Sequence, residues 1–168
     1  MKALGIFLII LCLAALGGVW YVHVTSNMNV FIGECVAEDP AKNPEEFERL
    51  KEQLENNSFT GIRFSSAPLT TPDEYIWYTW TVRMDNNTSI PARIAEIQVV
   101  PKDGGYDILQ YTSLSEQTVP AKTSVEIKVR VLTSRSILNS GSQPTVRDFK
   151  ATWYFWGLPF SASPQTLQ

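Results

Sequence analysis

The sequence predicts a mostly β protein, an antiparallel β-sandwich that follows an N-terminal transmembrane helix and one short amphipathic helix. Three observations support this prediction. Residues 3–24 contain no Asp, Glu, Lys or Arg. Residues 43–56 carry the capping residues and apolar spacing of a surface helix. From residue 58 to residue 160, short apolar–polar alternations are separated by turn residues, and no helical spacing interrupts them.

Residues 1–24 are predicted to anchor the chain in a membrane. As a helix, the 22 uncharged residues extend for about 33 Å, and the hydrocarbon core of a bilayer is about 30 Å thick. Trp20 and Tyr21 are typical of the aromatic residues found at a bilayer surface. Lys2 precedes the segment, and no further Lys or Arg follows until Lys42. The positive-inside rule therefore predicts a single-pass protein with a cytoplasmic N-terminus and an extracytoplasmic C-terminal domain.

Two other interpretations of this segment stay open. A cleaved signal peptide would use Lys2 as its basic region and Ala15-Leu16-Gly17 as its cleavage site, and the domain would then be secreted. A buried helix of a soluble protein is the third interpretation. An uncleaved anchor is favoured, because Val19 to Val24 extend the apolar run beyond the length usual for a signal peptide.

The tether, residues 25–57, is predicted to contain one amphipathic helix over residues 44–55. Asn43 is a favourable N-cap, Pro44 suits the first helical position, and Glu46 completes a capping box. The narrow apolar stripe of this helix consists of Phe47, Leu50 and Leu54. The stripe is predicted to pack on the β domain, and a docking surface for a partner is the alternative.

The β domain is predicted to cover residues 58–160, and residues 161–168 are predicted to form a flexible tail. The cleanest alternation lies in Val125–Leu132, whose branched residues alternate with Glu126, Lys128 and Arg130. In Arg93–Val100, the inward residues are predicted to be Ala95, Ile97 and Val99. The predicted strands are Phe59–Ser65, Tyr75–Met84, Arg93–Val100, Ile108–Tyr111, Val125–Leu132 and Phe149–Trp156.

The length of about 100 residues and the number of strands favour an immunoglobulin-like sandwich. Asp85-Asn86-Asn87 ends one strand, and Val119-Pro120-Ala121-Lys122-Thr123 precedes another. This pattern resembles the FxLYD-type and related immunoglobulin-like modules of bacterial membrane-anchored envelope proteins. The Phe-x-Leu-Tyr-Asp string itself is absent, since Tyr106-Asp107-Ile108-Leu109 departs from it. The resemblance implies a non-catalytic accessory role and carries no binding residues over.

Composition argues against catalysis and against nucleic acid. The chain has a net charge of −3, and its one histidine is His23, beside the predicted anchor. A basic surface for nucleic acid and a histidine-based triad or metal site are therefore not expected. We predict no enzyme activity, no cofactor and no metal. Cys35 is the only cysteine beyond the anchor, and a free thiol is expected, with an intermolecular disulfide as the alternative.

Four aromatic residues form the candidate binding patch. Tyr75 and Trp77 share one phase of their strand, and Tyr154 and Trp156 share one phase of the last strand. If those faces are exposed and close together, the rings form an apolar surface with polar tips that suits a protein or a sugar. The alternative is that the helix over 44–55 covers the rings.

The sequence thus predicts a membrane-anchored extracytoplasmic module that acts through protein–protein contact. The alternative function is a carbohydrate- or cell-wall-binding module that uses the exposed aromatic residues. Asn56-Asn57-Ser58 and Asn86-Asn87-Thr88-Ser89 also match the glycan acceptor pattern, which has meaning only in a eukaryotic secretory pathway.

Overall fold

The computed structural model describes residues 2–25, 28–100, 105–112 and 118–166. In these residues the chain forms two α-helices and ten β-strands, which are arranged in two sheets. The predicted mostly β class is therefore confirmed.

The first helix, α1, covers Lys2–Thr25. Its described apolar side chains are exposed, and Trp20 and Tyr21 are 69% and 64% accessible. Over the residues that the structure describes, no helix has the length and apolar character needed to cross a membrane. The membrane crossing thus stays a prediction.

The strands fall into a six-stranded sheet, in the order β10-β1-β3-β7-β5-β2, and a four-stranded sheet, in the order β6-β4-β8-β9. All described pairings are antiparallel except β1 with β10, which is parallel. The strands are β1 (Met28–Glu38), β2 (Ile62–Arg63), β3 (Tyr75–Asn86), β4 (Ala92–Val100), β5 (Asp107–Thr112), β6 (Thr118–Val119), β7 (Ser124–Ser134), β8 (Asp148–Phe155), β9 (Leu158–Ala162) and β10 (Gln165–Thr166).

The main core contains residues from both sheets. Because successive strand residues point to opposite faces, every second residue of β3 faces the four-stranded sheet. Trp80 of β3 contacts Phe149 of β8 edge-to-face, with 5.3 Å between the ring centroids. The most completely buried members are Val82, Met84, Ala92, Ile97, Val99, Val119, Val129, Val131, Ala151 and Phe155.

The second helix, α2, covers Pro44–Glu55, as predicted. The side chain of Asn43 accepts a hydrogen bond from the backbone N–H of Glu46, as predicted for the N-cap. The return bond of the predicted capping box differs, because the carboxylate of Glu46 accepts from the side-chain amide of Asn43, whose backbone N–H donates to Pro40. Phe47 is 1% exposed and lies 5.7 Å from Tyr75 between ring centroids. α2 therefore packs its apolar stripe on the outer face of the six-stranded sheet, as expected, and forms a second buried cluster there.

Three boundaries differ from the prediction. Residues 28–38 were assigned to the tether, but β1 pairs along almost all of β3 inside the six-stranded sheet. The tail predicted to be flexible from 161 contains the end of β9 and β10, while residues 167–168 lie outside the described part. The predicted strand Phe59–Ser65 is reduced to the two residues of β2.

The predicted inward face of β4 is wrong at Ala95, because the strand contains a bulge there. Ile94 pairs with Trp153 and Glu96 pairs with Thr152, so Ala95 is an additional residue with no partner on β8. Ala95 is consequently exposed, whereas Ile94 is 2% exposed and belongs to the core. Ile97 and Val99 are buried as predicted.

Candidate binding groove

The fold separates the four aromatic residues of the predicted patch. Tyr75 and Trp77 are 7% and 5% exposed, because α2 covers them on the outer face of the six-stranded sheet. Tyr154 belongs to the four-stranded sheet, where the guanidinium of Arg93 lies 5.6 Å from its ring centroid. Trp156 is 68% exposed in the turn between β8 and β9. A continuous patch of these rings is therefore not formed, and this prediction is wrong.

The covered Trp77 instead forms the floor of a charged site. Arg130 of β7 is the cross-strand partner of Thr79, which lies two residues after Trp77 on the same face of β3. The guanidinium carbon of Arg130 stacks 4.5 Å above the centroid of the Trp77 ring. A cation–π contact of this type contributes about 0.5–2 kcal/mol, depending on its desolvation.

Two carboxylates from different elements hold Arg130 in this position. Glu46 of α2 accepts a hydrogen bond from Nη1 at 2.5 Å, and Glu38 of β1 accepts one from Nη2 at 3.0 Å. The side chain of Arg130 is 22% exposed, and those of Glu46 and Glu38 are 30% and 52% exposed. The site thus joins α2 to β1 and β7 through one guanidinium. The pair with Glu38 contributes less than the pair with Glu46, because water screens the more exposed carboxylate.

A groove of about 550 Å³ lies beside this arginine, and we call it the α2 groove. It is lined by Ala37, Glu38, Asp39, Pro40, Lys42, Asn43, Glu46, Trp77, Thr79, Lys128 and Arg130. Acidic and basic side chains both border it, over an apolar floor. Among the described residues, Nε of Arg130 and Oγ1 of Thr79 are buried without a hydrogen-bond partner. Both atoms are enclosed by neighbouring groups, so the surface of the groove does not present them.

One rim of the α2 groove is fixed by Asp39. Its carboxylate accepts a hydrogen bond from the backbone N–H of Ala41 at 3.0 Å and pairs with Arg135 at 2.9 Å. The hydrogen bond from Ala41 is the main cause that lowers the pKa of Asp39, and Arg135 lowers it further. Asp39 consequently keeps its negative charge at neutral pH.

The lining of the α2 groove is chemically mixed. Its lining provides charge pairs, amide and hydroxyl groups and an aromatic floor, and it includes no cysteine or histidine. Within the described residues, no group of three or more His, Cys, Asp or Glu could hold a metal ion. Cys35 lies on the opposite face of β1, paired with Trp80, and burial raises the pKa of its thiol to about 11.

Sequence reasoning missed Arg130 as a site residue. It identified Arg130 only as an outward residue of an alternating strand, because the partner Trp77 is 53 positions earlier (130 minus 77). The register of β3 and β7 brings them together, and this register is not a local property of either segment. No protein-family model and no curated protein sequence matches the chain.

Proposed function

We propose that the protein is a single-pass membrane-anchored module, which presents an immunoglobulin-like domain outside the cytoplasm and binds or assembles with another protein. The observation that carries this proposal is the exposure of the apolar side chains of α1. Its described leucine and isoleucine side chains are 51–66% exposed, and none of them belongs to either buried cluster. Exposed apolar surface of this extent marks a membrane or protein contact. The uncharged run in the sequence also extends to Val24, which favours the membrane.

The strand order supports an immunoglobulin-like domain. β1, β3, β7 and β5 are neighbours in one sheet, and β4, β8 and β9 are neighbours in the other. If these seven strands are lettered A to G along the chain, the sheets read A-B-E-D and C-F-G, the order of a constant-type immunoglobulin domain. The remaining strands β2, β6 and β10 have two residues each and lie at sheet edges.

The α2 groove is the proposed contact site. Arginine and tryptophan are enriched among the residues that dominate protein interfaces, and here they are stacked beside a groove with charges of both signs. A partner that presents complementary charges fits this surface better than a neutral sugar does. The carbohydrate alternative depended on four aromatic rings that the fold separates, and no further observation favours it.

The anchor is tested by alkaline extraction of membranes that contain the full chain. We expect the unmodified protein to stay in the membrane pellet. The double variant Leu8→Lys/Leu11→Lys is expected to be released, because each lysine at the centre of a spanning helix makes the free energy of membrane insertion less favourable by about 2.5–3.5 kcal/mol. Val36→Lys is the matched control, since Val36 is 53% exposed on β1 and outside α1. Release of the unmodified chain contradicts the anchor.

The contact site is tested by photo-crosslinking in native membranes. A crosslinking residue replaces Lys42, which lines the α2 groove, or Lys150, which is exposed on the four-stranded sheet. We expect a discrete protein adduct from position 42 and none from position 150. An adduct from position 150 alone, or adducts from neither position, contradicts the α2 groove as the contact site.

A further inference from the structure

Trp156 occupies an unusual position for a tryptophan. It and Gly157 form the turn between β8 and β9, with φ values of 49° and 82°. A two-residue turn with both φ values positive favours Asn and Gly, and a bulky side chain there is strained. Of the large apolar side chains described outside α1, that of Trp156 is also the most exposed, and Leu158 beside it is 40% exposed. Neither core packing nor turn geometry explains this tryptophan.

The turn lies at the end of the domain where α1 is attached. β1 begins opposite the end of β3, at the pair Met28–Asn86. The side chain of Asn86 donates hydrogen bonds to the carbonyls of Ile90, which precedes β4, and of Val119, which precedes β7. β4 in turn begins beside the end of β8. We call this end of the domain, where β1, β4 and β7 begin and β8 ends, the N-terminal pole.

The N-terminal pole is close to the end of α1 because the connection is short. Only residues 26 and 27 separate Thr25 from Met28. Three Cα–Cα steps of 3.8 Å limit the distance between the Cα atoms of Thr25 and Met28 to about 11 Å. Along α1, Trp20 precedes Thr25 by about 7.5 Å of helix, which is comparable to a headgroup layer of about 5–8 Å. If Trp20 marks the interface, the N-terminal pole begins at the outer headgroup surface.

We propose that Trp156 inserts into the headgroup region of the bilayer that holds α1, and that it thereby fixes the orientation of the β domain on the membrane. This inference rests on the proposed function. Tryptophan is suited to this layer because its ring is apolar and its indole N–H binds water or headgroups. Exposed Lys122 lies at the same pole, where its Nζ donates to the carbonyl of Asn87, and its charge suits phosphate groups. The α2 groove is lined by Glu38 and Trp77, which pair at the end of β1 and β3 opposite to the Met28–Asn86 pair of the N-terminal pole.

The test uses the full chain reconstituted in phosphatidylcholine–phosphatidylglycerol vesicles, with lipids brominated close to the headgroup as fluorescence quenchers. The emission of Trp156 is obtained by subtracting the fluorescence emission of the Trp156→Phe variant from that of the unmodified chain. The emission of Trp20 is obtained in the same way from Trp20→Phe. The matched control adds Leu138→Trp to Trp156→Phe. Leu138 is 52% exposed and follows the end of β7, at the opposite pole, which is about 37 Å away along β3.

We expect the brominated lipids to remove most of the emission of Trp156 and of Trp20, and to leave the tryptophan introduced by Leu138→Trp unquenched. Quenching of Trp20 without quenching of Trp156 overturns this inference and leaves the anchor intact. Quenching at both poles also overturns it, because the domain would then have no fixed orientation. If Trp20 is not quenched, the proposed anchor fails, and the present inference fails with it.

Discussion

Replacing Arg147 tests how the long loop after β7 is attached to the β domain. The guanidinium of Arg147 forms two hydrogen bonds with Asp107, from Nε to Oδ2 at 3.0 Å and from Nη2 to Oδ1 at 2.9 Å. Thr133 donates a third hydrogen bond to Asp107 at 2.8 Å. The side chains of Arg147 and Asp107 are 3% and 5% exposed. The pair therefore connects the loop to β5 and β7 in a region that is almost fully shielded from solvent.

The burial of this pair sets the magnitude of the effect. Arg147→Met leaves the carboxylate of Asp107 buried with Thr133 as its hydroxyl donor. Removing one partner of a buried ion pair costs about 3–5 kcal/mol of unfolding free energy. The matched control is Arg83→Met, which removes the pair with Asp85, where the arginine side chain is 46% exposed. An exposed pair of this kind contributes about 0–1 kcal/mol.

The assay is urea unfolding of the full chain in a nonionic detergent, followed by tryptophan fluorescence. With a denaturant slope of about 2 kcal/mol per molar urea, Arg147→Met is expected to lower the midpoint by roughly 1.5–2.5 M, and Arg83→Met by less than roughly 0.5 M. The double variant Asp107→Leu/Arg147→Met is expected to recover most of the loss, since it leaves no unpaired charge. Equal effects of the two single variants would contradict a stabilising buried ion pair between Arg147 and Asp107.

Three further predictions concern other positions. Asn86→Ala is expected to lower the free energy of unfolding by about 2–4 kcal/mol, because Asn86 is 1% exposed and its amide makes five hydrogen bonds with the two turns of the N-terminal pole. The control is Asn87→Ala at an exposed position. Equal urea midpoints for the two variants would contradict this prediction. Trp156→Asn is expected to stabilise the domain by about 1 kcal/mol in the same assay, because asparagine tolerates a positive φ; a loss of stability would show that the ring has a structural role. The third prediction uses the Cys12→Ser variant, in which Cys35 is the remaining thiol. Burial raises the pKa of Cys35 from 9.0 to about 11, which lowers the fraction of reactive thiolate near neutral pH. Cys35 is therefore expected to react with a maleimide about 100-fold more slowly in the folded chain than in the unfolded chain. The folded state holds this proton more tightly, so the contribution of Cys35 to stability is present below pH 9 and is lost as the pH rises from 9 towards 11; a stability that rises over this range would contradict the burial of Cys35.

Local sequence signals predicted the helix α2 and the strands β3 and β7 well. The Asn43–Pro44–Glu46 cap fixes the start of α2 through bonds within four residues of sequence, so the first residue of the helix was predicted without knowledge of the rest of the chain. Strict alternation in Tyr75–Met84 and Val125–Leu132 located β3 and β7. β3 ends at Asn86, two residues later than predicted, and β7 begins one residue earlier and ends two residues later than predicted. These elements were predictable because their determinants are close in sequence.

The errors arose where pairing partners decide the structure. In β1, the register shifts between Ile32 and Cys35, so the alternation breaks at Gly33 and the sequence pattern indicated a tether. In β4, the bulge at Ala95 moves the inward phase by one residue. β10 exists only by pairing with β1, more than 130 positions earlier (165 minus 31). Register and edge pairing depend on distant segments, which a single sequence does not specify locally.

The candidate site illustrates the same dependence. Sequence patterning placed Trp77 on an outward face correctly, but the covering helix turned an expected exposed ring into the buried floor of the α2 groove. Glu38, Glu46 and Arg130 come from three elements that meet only in the folded chain. Their charges were visible in the sequence, whereas their proximity was not.

Labelling of single cysteines in intact cells determines on which side of the membrane the β domain lies. In a chain that carries Cys12→Ser and Cys35→Ser, one new cysteine is introduced by Ser142→Cys in the exposed loop before β8, or by Ala3→Cys at the first residue of the apolar run. A membrane-impermeant maleimide is expected to label position 142 in intact cells and position 3 only after the cells are ruptured. Protection of position 142 in intact cells, with labelling after rupture, would contradict an extracytoplasmic β domain.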